Sequence, residues 1–320
     1  MLTAALCLSA AQAFVLPAKA QAPAAQAVRI VVPVPPGSVT DHVARLLAEH
    51  LRVQPARTVW VENHPGASGR LAVAVLTSAP PDGNTLLLAP ILIPVLLPLS
   101  AAAPADDPMR DLAPITQVAD FEFAMAVPAS QTARDLAEFV SRARAHPDLA
   151  TYGTPGAGSM AHLLGILVGR QAGIDMVHVP YSGAASLVAN LLGGQVPAGI
   201  GALGDFLQPH REGRLRIVAT SGPVRAPLAP DIPTFREQGF PKVEGRSWLA
   251  LFARAGTPAE TLEAWSDAVA IALRTPSLRS KLQNLSVNPT GTSPGSLAKL
   301  VVAEREYWRP IVRAAGVKID

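Results

Sequence analysis

Thr151-Tyr152-Gly153-Thr154-Pro155-Gly156-Ala157-Gly158-Ser159-Met160-Ala161-His162-Leu163-Leu164-Gly165 is the stretch on which the fold turns. Gly153, Gly156 and Gly158 let the backbone bend sharply and approach a ligand closely. Ser159 then stands where a helix cap belongs, and Met160, Leu163, Leu164, Leu167 and Val168 recur at helical spacing. A helix that starts just after such a loop points unpaired N–H groups and its positive dipole end back into it. That is the physics of an anion site.

Working outward, the same step recurs. Arg29–Val34 reads as a strand closed by Pro35-Pro36-Gly37, and Ser38-Val39-Thr40-Asp41 matches a capping box ahead of a helix on Val43, Leu46, Leu47 and Leu51. Asp41 is explained as the acid of that box. Thr58–Val61 is a second strand, 62–69 its loop, and Arg70–Ser78 a helix. After the turn Pro81-Asp82-Gly83 comes a strand at Thr85–Leu88. Further on, strands are expected at Phe121–Val127, Leu149–Tyr152, Met176–Pro180, 196–201, Leu215–Thr220 and Trp248–Phe252. Helices are expected at Ala133–Ala145, 160–171, Ala184–Leu192 and Pro258–Arg274, with the remainder helical apart from Leu285–Pro294. Strands alternating with helices predict an α/β fold with parallel strands and ligands at their carboxyl ends. The loops at 35–38, 64–69 and 89–93 leave such ends.

Composition bounds the function. The 320 residues are comfortable for two domains, and 49% apolar against 16% charged is globular. A net charge of +3 without a dense Lys/Arg cluster argues against a nucleic-acid partner. One cysteine, Cys7, rules out an internal disulfide framework. His42, His50, His64, His146, His162, His178 and His210 show no close ligand spacing, so neither a metal nor a cofactor is expected. Residues 1–20 read as an export signal: Leu2–Leu16 is apolar and Ala18-Lys19-Ala20 is an A-x-A-like cleavage site, although no positive charge precedes the apolar run. Leu86–Leu99 is also apolar, but too short to span a membrane and broken by Pro90, Pro94 and Pro98. It is expected to be a strand followed by an irregular buried segment.

These loops together resemble the periplasmic solute-binding proteins of tripartite tricarboxylate transporters, the Bug or TctC-like family. The resemblance rests on Pro35–Asp41, Glu62–Gly69, Pro81–Leu86, Tyr152–Leu163, His178–Gly183, Leu191–Val196, Asp231–Thr234 and Ala255–Pro258, in family order from Val28 to Asp320. It implies a type II periplasmic-binding-protein fold, two α/β lobes closing on a small carboxylate, with residues 21–125 and 225–320 in one lobe and 126–224 in the other. It implies ligand contacts from Gly37, Ser38, Gly66, Ala67, Ser68, Gly153, Thr154, Gly156, Ser159, His162 and Gly183, joined by Pro90 and Tyr181 from the adjoining loops. It also implies a periplasmic location, membrane permease subunits as partners, a monomer and no catalytic residue.

The chain departs from the family pattern at named places. Ser38 stands for a second Gly, Ser68-Gly69-Arg70 for Gly-Gly-Asn, and Ala89–Ile93 for a polar segment; Pro197 and Gly201 stand where acids are usual. Prolines and apolar side chains at 89–94 supply few donors for a second carboxylate, and no acid is evident for an ammonium group. The expected ligand is therefore a monocarboxylate with an apolar or aromatic body.

Other classes stay open at this stage. Gly156–Ala161 also fits the dinucleotide fingerprint G-x-G-x-x-G/A. Asp175, the acid that would serve the ribose, precedes its strand instead of ending it. Ser159 does not sit in G-x-S-x-G, which argues against a serine hydrolase. An exported protein with a purely structural or receptor-interacting role is a third reading.

Overall fold

The computed structural model describes residues 26–51, 57–100 and 107–316. The expected signal segment 1–20 lies outside the described residues. The chain begins with β1 (Gln26–Val32), α1 (Val39–Leu51), β2 (Arg57–Asn63), α2 (Arg70–Ser78) and β3 (Thr85–Pro90). The middle holds β4 (Leu112–Pro128), α3 (Leu136–Ala145), β5 (Thr151–Thr154), α4 (Met160–Ala172), β6 (Val177–Pro180), α5 (Ala184–Leu192), β7 (Ala198–Ala202), α6 (Leu203–Arg211) and β8 (Leu215–Thr220). It closes with β9 (Arg246–Arg254), α7 (Ala259–Arg274), α8 (Pro276–Asn284), β10 (Val287–Pro289) and α9 (Pro294–Ala315).

The strands run in the order β2-β1-β3-β9-β4-β7-β5-β6, with β8 and β10 also on β4. β1 pairs in parallel with β2 and β3, and β5 with β6 and β7, as the strand–loop–helix steps require. β9 is antiparallel to both β3 and β4, so the sheet is mixed. β4 joins the two halves: Leu112–Glu122 pairs with β9, and Phe123–Pro128 pairs with β7 and β8. Two α/β lobes thus share one long strand.

Alternation along β4 builds both cores. Phe123, Met125 and Val127 join the large core, while Ala124 and Ala126 face a smaller one made by Leu187 and Leu191 of α5 and Leu203, Phe206 and Leu207 of α6. Each lobe-two face is therefore covered by helices.

Several elements differ from the sequence reading, each for a local reason. β4 begins nine residues before Phe121, because Pro114 and the polar Thr116, Gln117 and Asp120 mask its period; the register slips twice there. α3 starts at Leu136, where the Asp135 side chain accepts the Glu138 N–H at 2.8 Å and caps it. α6 has no side-chain cap and contains Pro209, so its sequence carries no start signal. After β3 the chain makes a wide helical turn at Leu92–Leu96 and a tight one at Leu97–Leu99; Ile93 through Leu97 are buried. Arg305 of α9 holds this segment. Its Nε donates to Pro94 O at 2.7 Å, and its other nitrogens grip Asp107 at 2.6 and 2.8 Å. Among the described residues, no helix is long and apolar enough to cross a membrane.

Candidate functional site

The carboxyl ends of β1, β2, β3, β5, β6 and β7 converge on one cavity of about 520 Å³ between the lobes. That volume suits a small molecule. Its walls are Pro33–Pro35, Pro65, Pro90–Ile93, Phe121, Phe123, Pro155, Met160 and several alanines. The Phe121 and Phe123 rings lie 5.6 Å apart, tilted by 53°, on the lobe-joining strand. Among the described lining residues there is no Lys, Arg or His, and the single ionisable group is Asp205.

Of the residues singled out from sequence, Ser38, Gly66, Ser68, Pro90, Gly156, Ser159 and Gly183 line this cavity. Gly37, Ala67, Gly153, Thr154, His162 and Tyr181 are not among its lining residues. They act behind it. Gly153 packs against the Tyr181 ring, which a Cβ there would overlap at 2.6 Å. Ala67 lies inside the 66–69 turn, whose backbone stays left-handed for four residues, with φ of 126°, 46°, 52° and 94°. Holding Ala67 and Ser68 so costs roughly 1–2 kcal/mol each. The turn is clamped by Gly69 N–H donating to Gly66 O at 2.9 Å and by Ile93, which leaves no room for a Cβ on Gly69.

The loop before α4 is fixed from within. The Gly156 carbonyl accepts from the Thr154 hydroxyl at 3.0 Å and from the Ser159 hydroxyl at 2.8 Å. In a trans peptide the N–H points opposite to the carbonyl. The Ala157 N–H therefore points away from both hydroxyls, and Ala157 itself lines the cavity. Ser159 Oγ also accepts the His162 N–H at 3.3 Å and so caps α4. With its own proton on Gly156, this hydroxyl is a cap, not a donor to the cavity. The N–H groups of Met160 and Ala161, first in α4 and on the cavity wall, have no acceptor within the helix.

The two histidines form the layer beneath. His162 Nδ1 accepts the Gly158 N–H at 3.1 Å, and its ring stacks on His178 at 3.7 Å and 12°. His178 Nε2 lies 2.7 Å from Thr154 Oγ1. Because that hydroxyl donates to Gly156, Nε2–H is the donor to it. Burial lowers the His162 pKa, and burial with the neighbouring His162 lowers that of His178 to about 4. Both rings are neutral at pH 7 and serve as packing and hydrogen-bond struts.

At the first helix, Asp41 accepts Gly37 N–H at 3.0 Å, and Ser38 Oγ accepts Asp41 N–H at 3.3 Å. The box forms one residue displaced from its usual reciprocal pattern. Burial alone would raise the Asp41 carboxyl, but the bonds from Arg45, Gly37 and Asn63 outweigh it and hold it below the ordinary range. Arg70 does not line the cavity.

Asp205 went unnoticed in the sequence. It is the third residue of α6 and lines the cavity, and the α6 start packs through Gly204 against Val39, the first residue of α1, across the two lobes. Burial pushes its carboxyl up to about 7. The strand-end rule would have pointed to it, had α6 been legible after β7. Phe121 and Ser247, cross-strand partners on β4 and β9, were missed too, because their strands read as interior.

Asp175 lies just ahead of β6, at the end of that strand remote from the α4 start, so the fingerprint at Gly156–Ala161 lacks its ribose acid.

Two lobes joined by a shared strand, holding an apolar cavity with helix N-termini at its wall, define a solute-binding receptor of the type II periplasmic kind. The profile of the "Tripartite tricarboxylate transporter family receptor", TctC, matches residues 43–317, and the chain belongs to that family. Its members are receptors of a transport system and not enzymes. BugT of Bordetella pertussis is 28% identical over 304 residues, covering 95% of this chain and 93% of its own length. Among solved structures, Rpa4515 of Rhodopseudomonas palustris with adipate superposes with a TM-score of 0.87 at 30% identity, covering 91% of this chain and 98% of that one. MatC of the same organism, with bound malate, gives 0.83 at 29% identity, covering 89% and 98%.

Proposed function

We propose that the protein is an exported receptor that captures a small monocarboxylate with an apolar or aromatic body and delivers it to the membrane subunits of a tripartite transporter. The carboxylate sits on the N–H groups of Ala157, Met160 and Ala161, and the body lies against Phe121, Phe123 and Ile91–Ile93. The observation that carries this reading is an apolar cavity without a basic side chain that has the N-terminal turn of α4 in its wall. Adipate in Rpa4515 and malate in MatC support the carboxylate class. Residues 1–20 are removed on export to the periplasm, and the mature chain acts as a monomer. Residues 21–125 with 225–320 move as one lobe and 126–224 as the other; the change of partners along β4 after Glu122 supports a hinge there.

The test is calorimetric titration of the purified mature chain with benzoate and nicotinate against citrate and glutamate, after a thermal-shift screen. A ligand at 100 times its Kd adds about 2.7 kcal/mol to stability. Tight citrate or glutamate binding without response to the aromatic acids would refute the ligand class. An intact Met1 on protein from its native host would refute the export claim.

A further inference from the structure

Asp205 is the single ionisable group in a cavity wall made largely of prolines, alanines and the rings of Phe121 and Phe123. Among the described residues no ion pair includes it, and no Lys, Arg or His lines the cavity to serve it. An acid in the first turn favours a helix start, but one facing water would do the same. Asp205 is instead half-buried in the cleft, and burial pushes its carboxyl up to about 7. Keeping a carboxyl in an apolar wall is costly unless a hydrogen-bond partner meets it. Its place along the sheet fixes which part of a ligand can do so. β7 ends at Ala202, whose partner on β4 is Phe123, and α6 starts at the next residue. Phe121 is paired in turn with Ser247, which also lines the cavity. The α4 start follows β5, which lies across β7 from β4. Asp205 therefore stands on the phenylalanine side of the α4 start. A ligand with its carboxylate at α4 and its body against Phe121 and Phe123 passes along it.

We propose that Asp205 is a specificity-determining residue that accepts a hydrogen bond from a hydroxyl on the ligand body, so that the receptor takes a hydroxylated aromatic or apolar monocarboxylate. This rests on the carboxylate-receptor reading above. A carboxyl keeps an oxygen able to accept in either protonation state. A hydroxyl brings one donor, which one carboxyl satisfies. An ammonium brings a full charge and three donors, and the wall holds no second acid to share them. A bare apolar body leaves the carboxyl unmet, and a site with a buried polar group discriminates strongly against a ligand that leaves it so. Asp205 is also held in place: Gly204, beside it, packs so closely on Leu285 O and Val39 that a Cβ has no room. That contact fixes the α6 start against α1.

The experiment is calorimetric titration of the full mature chain, wild type and Asp205→Ala, with benzoate, meta- and para-hydroxybenzoate and para-aminomethylbenzoate. A thermal melt of each protein reports folding. Asp205→Leu, which matches aspartate in shape and brings no acceptor, is the second variant should the first fail to fold. The expected result is that wild type binds one hydroxybenzoate at least tenfold more tightly than benzoate, about 1.4 kcal/mol. The variant should bring that ratio to within about threefold of unity. A preference that survives in a folded variant overturns the assignment. So does tightest binding of the aminomethyl acid, which would make Asp205 a counter-ion. If wild type binds benzoate and both hydroxybenzoates equally, this inference alone falls. If wild type binds no carboxylate at all, the receptor reading falls with it.

Discussion

Replacing Gly156 by valine tests the site where it is most exposed to disproof. Gly156 does not have a left-handed backbone, and a Cβ built on it meets nothing within 4 Å, so the fold accepts a side chain there. Both hydroxyls that anchor its carbonyl remain. The loss of a glycine also restricts the unfolded chain, which stabilises by roughly 0.4–1 kcal/mol where the backbone is compatible. The melting temperature should therefore stay level or rise slightly. Binding should not. The added methyls stand on the cavity wall beside the Ala157 N–H and the α4 start. Displacing a carboxylate from two of these donors forfeits charge-assisted bonds worth about 1.5–3 kcal/mol each. The loss is about 3–6 kcal/mol, or roughly a hundredfold to ten-thousandfold in Kd. Calorimetry with benzoate alongside a thermal melt reads both quantities. A folded variant with unchanged affinity would show that the ligand does not approach this loop, and the α4 seat would have to be abandoned.

Three further outcomes are expected. Ser159→Ala removes the α4 cap and should cost about 0.5–2 kcal/mol in urea denaturation; a neutral result would mean the 3.3 Å bond contributes nothing. Arg305→Ala frees Asp107 and the Pro94 carbonyl, both partly buried, and should cost about 2–3 kcal/mol. Arg305→Lys should not restore it, because an ammonium cannot reproduce the fork. Asp205 makes stability fall as pH rises. Its folded pKa is raised from 3.8 to about 7, so between these values the native state holds the proton more tightly than the unfolded chain. Comparing pH 5 with pH 8, Asp205→Asn should lose about 1–2 kcal/mol less than wild type, allowing for water in the cleft. Equal losses would place the Asp205 carboxyl in its ordinary range.

The sequence by itself determined the parts of this protein that are local. Strand, glycine turn and capped helix follow one another at β1–α1 and β5–α4, and short-range sterics and hydrogen bonds suffice to write that order into the residues. Ser159 could be read as a cap, and the loops at 35–38, 64–69 and 89–93 as strand ends, without knowledge of what faces them. The tertiary structure alone decided what those loops offer a ligand. Asp41 takes the Gly37 N–H, Gly156 takes the Ser159 proton, and His162 and His178 stack beneath the loop, 16 residues apart in the chain. Asp205 and Val39 share one cavity wall only because β7 and α6 of one lobe are folded against α1 of the other. Which side chains end up on the cavity wall depends on partners far apart in the chain, and no local periodicity encodes them.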